Sequence, residues 1–166
     1  MQVVVMGVAG CGKSAVGRLL AQQLELPLIE GDDFHSEGNI QKMQRGIALT
    51  DEDRAAWLYT LGVALAAHPA GMVLTCSALK AAYRSSLRGA TKHLYFVHLA
   101  ITEPESLRRV AQRQGHFYPS SLVTSQFEAL QDPSSEPGVL TLQGDASVEA
   151  LAQKAVTWLK SSTVTR

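Results

Sequence analysis

The sequence predicts an α/β fold of three layers, in which helices cover both faces of a five-stranded parallel sheet. Three observations predict it. Five short apolar runs alternate with segments of helical period, the order that right-handed βαβ units produce. The runs at 3–6 and 72–75 are continuous rather than alternating, as in strands buried on both faces. Directly after the first run stands Gly7-Val8-Ala9-Gly10-Cys11-Gly12-Lys13-Ser14, which has the spacing of a phosphate-binding loop set between a strand and a helix.

Taken in order, Val3-Val4-Val5-Met6 is the first strand. After the loop, Val16, Leu19, Leu20 and Leu24 recur at helical spacing until Pro27. Leu28-Ile29 is a short second strand ending at Glu30-Gly31-Asp32-Asp33, and the polar stretch 34–46 has room for one short helix. Thr50-Asp51-Glu52-Asp53 has capping-box form and opens a helix with Trp57, Leu58, Leu61 and Leu65 inward. Met72-Val73-Leu74-Thr75 is the third strand. Cys76-Ser77-Ala78-Leu79-Lys80 follows it, then a helix on which Lys80, Arg84 and Arg88 fall four apart. The fourth strand, Leu94 to Leu99, carries His98, expected as a hydrogen-bonded core histidine. Thr102-Glu103-Pro104-Glu105 caps a helix with Arg109 and Arg113 four apart. Gln114-Gly115-His116-Phe117-Tyr118-Pro119 interrupts the pattern, which resumes through Leu122, Phe127 and Leu130. A lid over roughly 109–130 would look like this, and so would a surface hairpin with solvated arginines. Val139 to Leu142 is the fifth strand, a last helix packs through Val148, Leu151, Ala152, Ala155 and Leu159, and 161–166 is expected to fray.

The loop dictates the first chemistry. Glycines admit positive φ and close approach, so successive N–H groups can surround phosphate oxygens. Lys13 would reach the β and γ phosphates, the Ser14 hydroxyl would be a ligand for Mg²⁺, and the helix beginning there adds the positive end of its dipole. A bound nucleotide follows. In an open parallel sheet, ligand-binding residues gather at the carboxyl ends of strands, which makes Asp32 and Asp33 interesting by position. The third strand ends in Thr75-Cys76-Ser77, where many proteins with this loop have an acid, so Asp32 is the best available carboxylate. The Asn-Lys-x-Asp and Asp-x-x-Gly patterns of GTPase switches are missing.

With 166 residues the chain fits a single domain over 1–166. Fifteen Lys plus Arg balance fifteen Asp plus Glu, which gives no general attraction to nucleic acid or membrane. Two cysteines, one of them inside the phosphate loop, make no disulfide framework, and a strand at the very start leaves no room for a secretion signal. A reduced, cytoplasmic setting is expected.

The chain resembles the gluconate kinases, small-molecule kinases with a P-loop. The resemblance rests on Met6 to Ser14, on Gly31-Asp32 with His35, Asn39 and Lys42-Met43, and on Leu49, Asp51, Asp53-Arg54 and Trp57-Leu58. It continues through Cys76 to Lys80 with Tyr83-Arg84 and Leu87-Arg88, then Arg109, Arg113, Gly115-His116-Phe117, Ser125-Gln126-Phe127 and Leu130. Ser36, Ala48 and Ala56 stand where the family pattern has proline, at positions that stiffen loops. The resemblance implies a three-layer α/β/α P-loop kinase fold with a helical lid, a homodimer, and ATP-dependent phosphorylation of D-gluconate at its 6-hydroxyl.

Gluconate brings a carboxylate and a row of hydroxyls, so its site needs fixed cations and polar groups of both hydrogen-bonding kinds. Arg54, Lys80 and Arg84 are the candidates for the carboxylate, with Lys42 behind them; His35, Asn39 and Ser77 suit the hydroxyls. Asp32 would either orient the 6-hydroxyl and take its proton or hold Mg²⁺ through water. Lys13, Arg109 and Arg113 would neutralise the transferring phosphoryl group. The competing readings are a kinase for shikimate, another sugar acid or a nucleoside monophosphate, and a nucleotide-binding regulatory module.

Overall fold

The computed structural model describes residues 1–113 and 118–164. Its strands are β1 (Gln2–Met6), β2 (Leu28–Glu30), β3 (Met72–Thr75), β4 (Leu94–Ala100) and β5 (Val139–Gln143). Its α-helices are α1 (Lys13–Leu24), α2 (Glu37–Gln44), α3 (Asp51–Ala66), α4 (Ala81–Arg88), α5 (Glu103–Gln112), α6 (Ser120–Ala129) and α7 (Val148–Val164). A 3₁₀ turn, Gly31–Phe34, follows β2. The strands pair in parallel in the order β2-β3-β1-β4-β5.

That order places the site. The chain leaves β1 toward β2 and β3 on one side, then crosses to β4 and β5 on the other. The carboxyl end of β1 is therefore the switch point, where a crevice opens between diverging crossovers. The loop 7–12 sits in that crevice.

Alternation along the buried strands builds two apolar layers. Val3, Val5, Val73, Val97 and Leu99 pack against Val16 and Leu20 of α1 and Leu151, Ala155 and Leu159 of α7. Val4, Met6, Leu74 and Phe96 face Trp57, Leu58, Leu61 and Leu65 of α3 and Tyr83 and Leu87 of α4. A small third cluster, Ala9, Val110 and Val123, seats α5 and α6 on the phosphate loop.

The predicted caps form. Thr50 and Asp53 exchange both capping-box hydrogen bonds, at 3.1 and 2.9 Å, and Thr102 caps α5; the structure adds Ser36 as the cap of α2. Two expectations change. The chain does not fray at 161, because α7 continues to Val164 with the hydroxyls of Ser161, Ser162 and Thr163 bonded to carbonyls one turn back. His98 is a core residue at 4% exposure, but among the described residues its Nδ1 has no partner, and neither does Thr141 Oγ1 on the neighbouring strand. Burial lowers its pKa to about 4, so the imidazole is neutral in the fold. The Gly115-His116-Phe117 part of the expected lid lies outside the described residues.

Candidate active site

Gly12, at φ 98°, occupies the N-cap position of α1 in a left-handed conformation that a side chain would strain. No side chain caps this terminus, so the first-turn N–H groups are left for an anion. Lys13 Nζ donates to the carbonyls of Gly7 and Val8 at 3.0 and 3.2 Å, arching over the loop. The helical hairpin grips the loop from outside. Ser106 Oγ of α5 donates to Ala9 O at 2.6 Å, and Ala9 N–H donates to Gln126 Oε1 of α6 at 2.6 Å. Gln126 Nε2 in turn donates to the Tyr118 hydroxyl at 2.9 Å.

Opposite the loop stands the end of β2. Ser14 Oγ donates to Glu30 Oε2 at 2.9 Å, and Thr75 Oγ1 donates to the same oxygen at 2.6 Å. Glu30 is thus the carboxylate in contact with the loop serine, a position that sequence reasoning passed over in favour of Asp32. The signal was available, since Glu30 is the last residue of the strand and Thr75 is its register partner on β3. Thr75 stands where an acid is common and brings Glu30 there instead.

Gly31 is required by close approach. A Cβ on it would lie far inside van der Waals contact with the Thr75 carbonyl oxygen. The same residue receives Trp57 Nε1–H on its carbonyl at 2.8 Å and donates its N–H to Thr75 Oγ1 at 3.3 Å. Trp57 then supports His35, whose ring stacks on the indole at 4.1 Å and 17°. His35 Nε2 lies 4.0 Å from Asp32 Oδ1. Burial lowers the His35 pKa against the raising effect of Asp32, which favours the neutral ring.

One cavity of about 350 Å³ collects much of what the sequence singled out. It joins Ala9, Gly10, Gly12, Lys13 and Ser14 of the loop to Asp32, His35, Arg54 and Ser77, with Arg113 and Tyr118 from the hairpin side. Asp32 is well exposed to it, its side chain at 79%.

Eight of the predicted residues do not join that lining: Gly7, Val8 and Cys11 of the loop, and five side chains that are held elsewhere. Arg84 is the clearest correction. It is fully buried, donates from Nε and Nη2 to Glu136 at 2.9–3.2 Å, and donates to the carbonyls of Ala78, Leu79 and Gln131. Its donors close a loop and leave none for a substrate. Lys80 pairs with Asp51 at 2.8 Å, and Lys42 holds both Asp53 oxygens at 2.8 and 2.9 Å, which pulls the Asp53 pKa down to about 2. Asn39 is buried behind His35, with Nδ2 donating to Asp53 O at 3.0 Å and lying 3.4 Å from His35 Nδ1. Arg109 donates to Glu105, Gly10 O and Gly144 O, bracing the loop rather than facing the cavity. Their partners explain all five, because periodicity places polar side chains on a face without saying which groups meet them there.

A family model described as an AAA domain matches residues 3–137. The gluconokinase of Gluconobacter oxydans (strain 621H) is 39% identical over 159 residues, covering 93% of this chain and 88% of that one. The chain belongs to the gluconokinase family. A solved gluconokinase from Sinorhizobium meliloti 1021 superposes with a TM-score of 0.87 at 41% identity, covering 94% of this chain and 89% of that chain. Shikimate kinase from Aquifex aeolicus vf5, at 17% identity and a TM-score of 0.65 over 99% of each chain, shares the fold alone. Gluconokinases of this P-loop type are kinases that use ATP. No helix of the described residues is long and apolar enough to cross a membrane.

Proposed function

We infer that the chain transfers the γ-phosphoryl group of ATP to the 6-hydroxyl of D-gluconate, giving 6-phospho-D-gluconate and ADP. The observation that carries this reading is the single cavity joining the phosphate loop to Asp32, His35, Arg54 and Ser77. Phosphoryl transfer is chiefly a matter of positioning and charge neutralisation, and both kinds of group are present there.

Asp32 accepts the proton of the 6-hydroxyl as its oxygen bonds to the γ-phosphorus, while the bond to the β–γ bridging oxygen breaks and ADP leaves. Arg54 takes the gluconate carboxylate. His35, neutral and stacked on Trp57, and Ser77 hold hydroxyls along the chain of the acid. Lys13 and Arg113 stabilise the charge on the transferring group, and the hairpin contacts to Ala9 exclude water from the loop's outer side.

The donors suit Mg²⁺, which prefers hard oxygens and keeps waters and phosphates in its shell. The Ser14 hydroxyl and the Glu30 carboxylate meet at 2.9 Å beside the loop, and among the described residues no cluster of three ligating side chains offers a full protein cage. Ser14 would hold the ion directly, with Glu30 as a water-mediated partner. When bound, the ion neutralises charge on the β and γ phosphates. Because Glu30 already serves the Ser14 side, Asp32 is left for the acceptor hydroxyl. A homodimer and a cytoplasmic setting belong to the same reading, and light scattering of the purified protein tests the first.

The experiment is ADP release with Mg²⁺-ATP and D-gluconate, shikimate, AMP, glucose or no acceptor, repeated with Asp32→Asn. Gluconate alone stimulates turnover, and the variant loses about 10²- to 10⁴-fold in kcat with ATP affinity kept. Turnover with a different acceptor, or full activity of the variant, refutes the assignment.

A further inference from the structure

We propose that Tyr83, a residue outside the cavity lining, is the positioning residue for Arg54 and so sets the affinity for the anionic end of the acceptor. The proposal rests on the reading that Arg54 receives the gluconate carboxylate.

Arg54 comes from the first turn of α3 and Tyr83 from the first turn of α4. Arg54 Nη1 donates to the Tyr83 hydroxyl at 3.1 Å, and its Cζ lies 5.5 Å from the ring centroid. That hydroxyl donates to Asp51 Oδ1, which also receives Lys80 Nζ at 2.8 Å. A carboxylate can only accept, so the phenolic proton points at Asp51 and the oxygen lone pairs point at the guanidinium. Tyr83 is buried, at 6% exposure, which fixes the oxygen in space.

Interposing a neutral phenol has a specific electrostatic result. A direct Arg54–Asp51 pair would orient the cation but cancel its charge, and no such pair lies within 4 Å among the described residues. Lys80 pairs with Asp51 instead, and Arg54 is held through an uncharged acceptor with no carboxylate in direct contact among the described residues. An oriented guanidinium with its charge intact is what a bidentate carboxylate site needs. The pairing of Lys80 with Asp51 thereby gains a purpose, since it keeps the acid from capturing Arg54.

Tyr83→Phe removes the hydroxyl and lets Arg54 turn toward Asp51. The KM for gluconate rises roughly ten-fold, the scale of a lost hydrogen bond to a charged group, while kcat and the KM for ATP stay within about two-fold. Adding Asp51→Asn to that variant removes the competing anion and recovers part of the affinity, a rescue that a packing role for Tyr83 does not produce. Arg54→Ala serves as the control for the underlying reading. If it leaves the gluconate KM unchanged, the carboxylate assignment itself falls. If it raises that KM strongly while Tyr83→Phe does not, the assignment stands and the positioning role falls. In the unsubstituted protein, ¹⁵N NMR of Arg54 should show resolved Nη resonances from a held guanidinium. A single averaged signal overturns the proposal without recourse to any variant's folding.

Discussion

Replacing Arg84 by Met removes a cation that the sequence assigns to substrate and the structure assigns to the fold. Arg84 is wholly buried and bidentate to Glu136, and its remaining donors go to Ala78 O at 2.8 Å, Leu79 O at 2.9 Å and Gln131 O at 2.9 Å. Methionine fills much of the volume but satisfies none of these acceptors. Breaking a buried pair from one side costs about 3–5 kcal/mol. Glu136 keeps Arg88 at 3.0 Å and its side chain is 20% exposed, so the lower end applies to the ion pair. The three carbonyls add to that, at about 1 kcal/mol or more for each that finds no water. We therefore expect a loss of about 3–6 kcal/mol, depending on how many carbonyls water reaches, out of the roughly 5–15 kcal/mol typical of a native domain. Urea denaturation followed by circular dichroism measures it, with the slope checked for two-state behaviour. A variant within about 0.5 kcal/mol of the parent, with the gluconate KM raised many-fold, would refute the structural role and restore Arg84 to the substrate.

Gly31→Ala should lose about 1–3 kcal/mol of stability and most of its turnover, because the new methyl collides with the backbone of Thr75 and must displace the turn that carries Asp32; denaturation and ADP-release assays check both. His98 makes stability depend on pH in a separate window. Its pKa falls from an ordinary 6.5 to about 4 on folding, so its contribution is complete above about pH 6.5 and declines as pH drops toward 4, by on the order of 3 kcal/mol. Denaturation at pH 7, 5.5 and 4.5 should show that decline, and His98→Leu should flatten it; losses from Asp53 and Glu105, whose carboxyls sit at about 2, begin only below about pH 4.5.

The layers, the parallel strands and the phosphate loop were legible because each is written in local pattern; the strand order, and with it the switch point, was not. Continuous apolar runs, helical spacing and a loop of fixed spacing need no knowledge of what lies opposite. The capping box of Thr50 and Asp53 was legible for the same reason. The partners of charged side chains were not. Arg54 and Arg84 look alike in sequence, each a basic residue near a helix start, and yet one lines the cavity and the other is sealed under Glu136, 52 residues further along the chain. Glu30 and Asp32 stand two apart at the end of a strand. Only the register of β2 on β3 brings Glu30 to Thr75 and Ser14 and leaves Asp32 to the open cavity.

The short ladder of β2 has a consequence for how the two halves of the site hold together. The phosphate loop hangs from β1, the central strand, which is hydrogen-bonded on both sides and buried along its whole length. The acids hang from a sheet edge three residues long and half-buried, paired on one side only. Elements with few buried contacts open locally at a fraction of the global unfolding free energy. Amide hydrogens of β1 should therefore exchange only through global unfolding, while those around Glu30 and Gly31 escape through partial detachment of the edge. The phosphate-loop side of the cavity is as durable as the fold, while the edge that carries Glu30 and Asp32 persists through the Trp57 and Thr75 contacts that pin Gly31 in place.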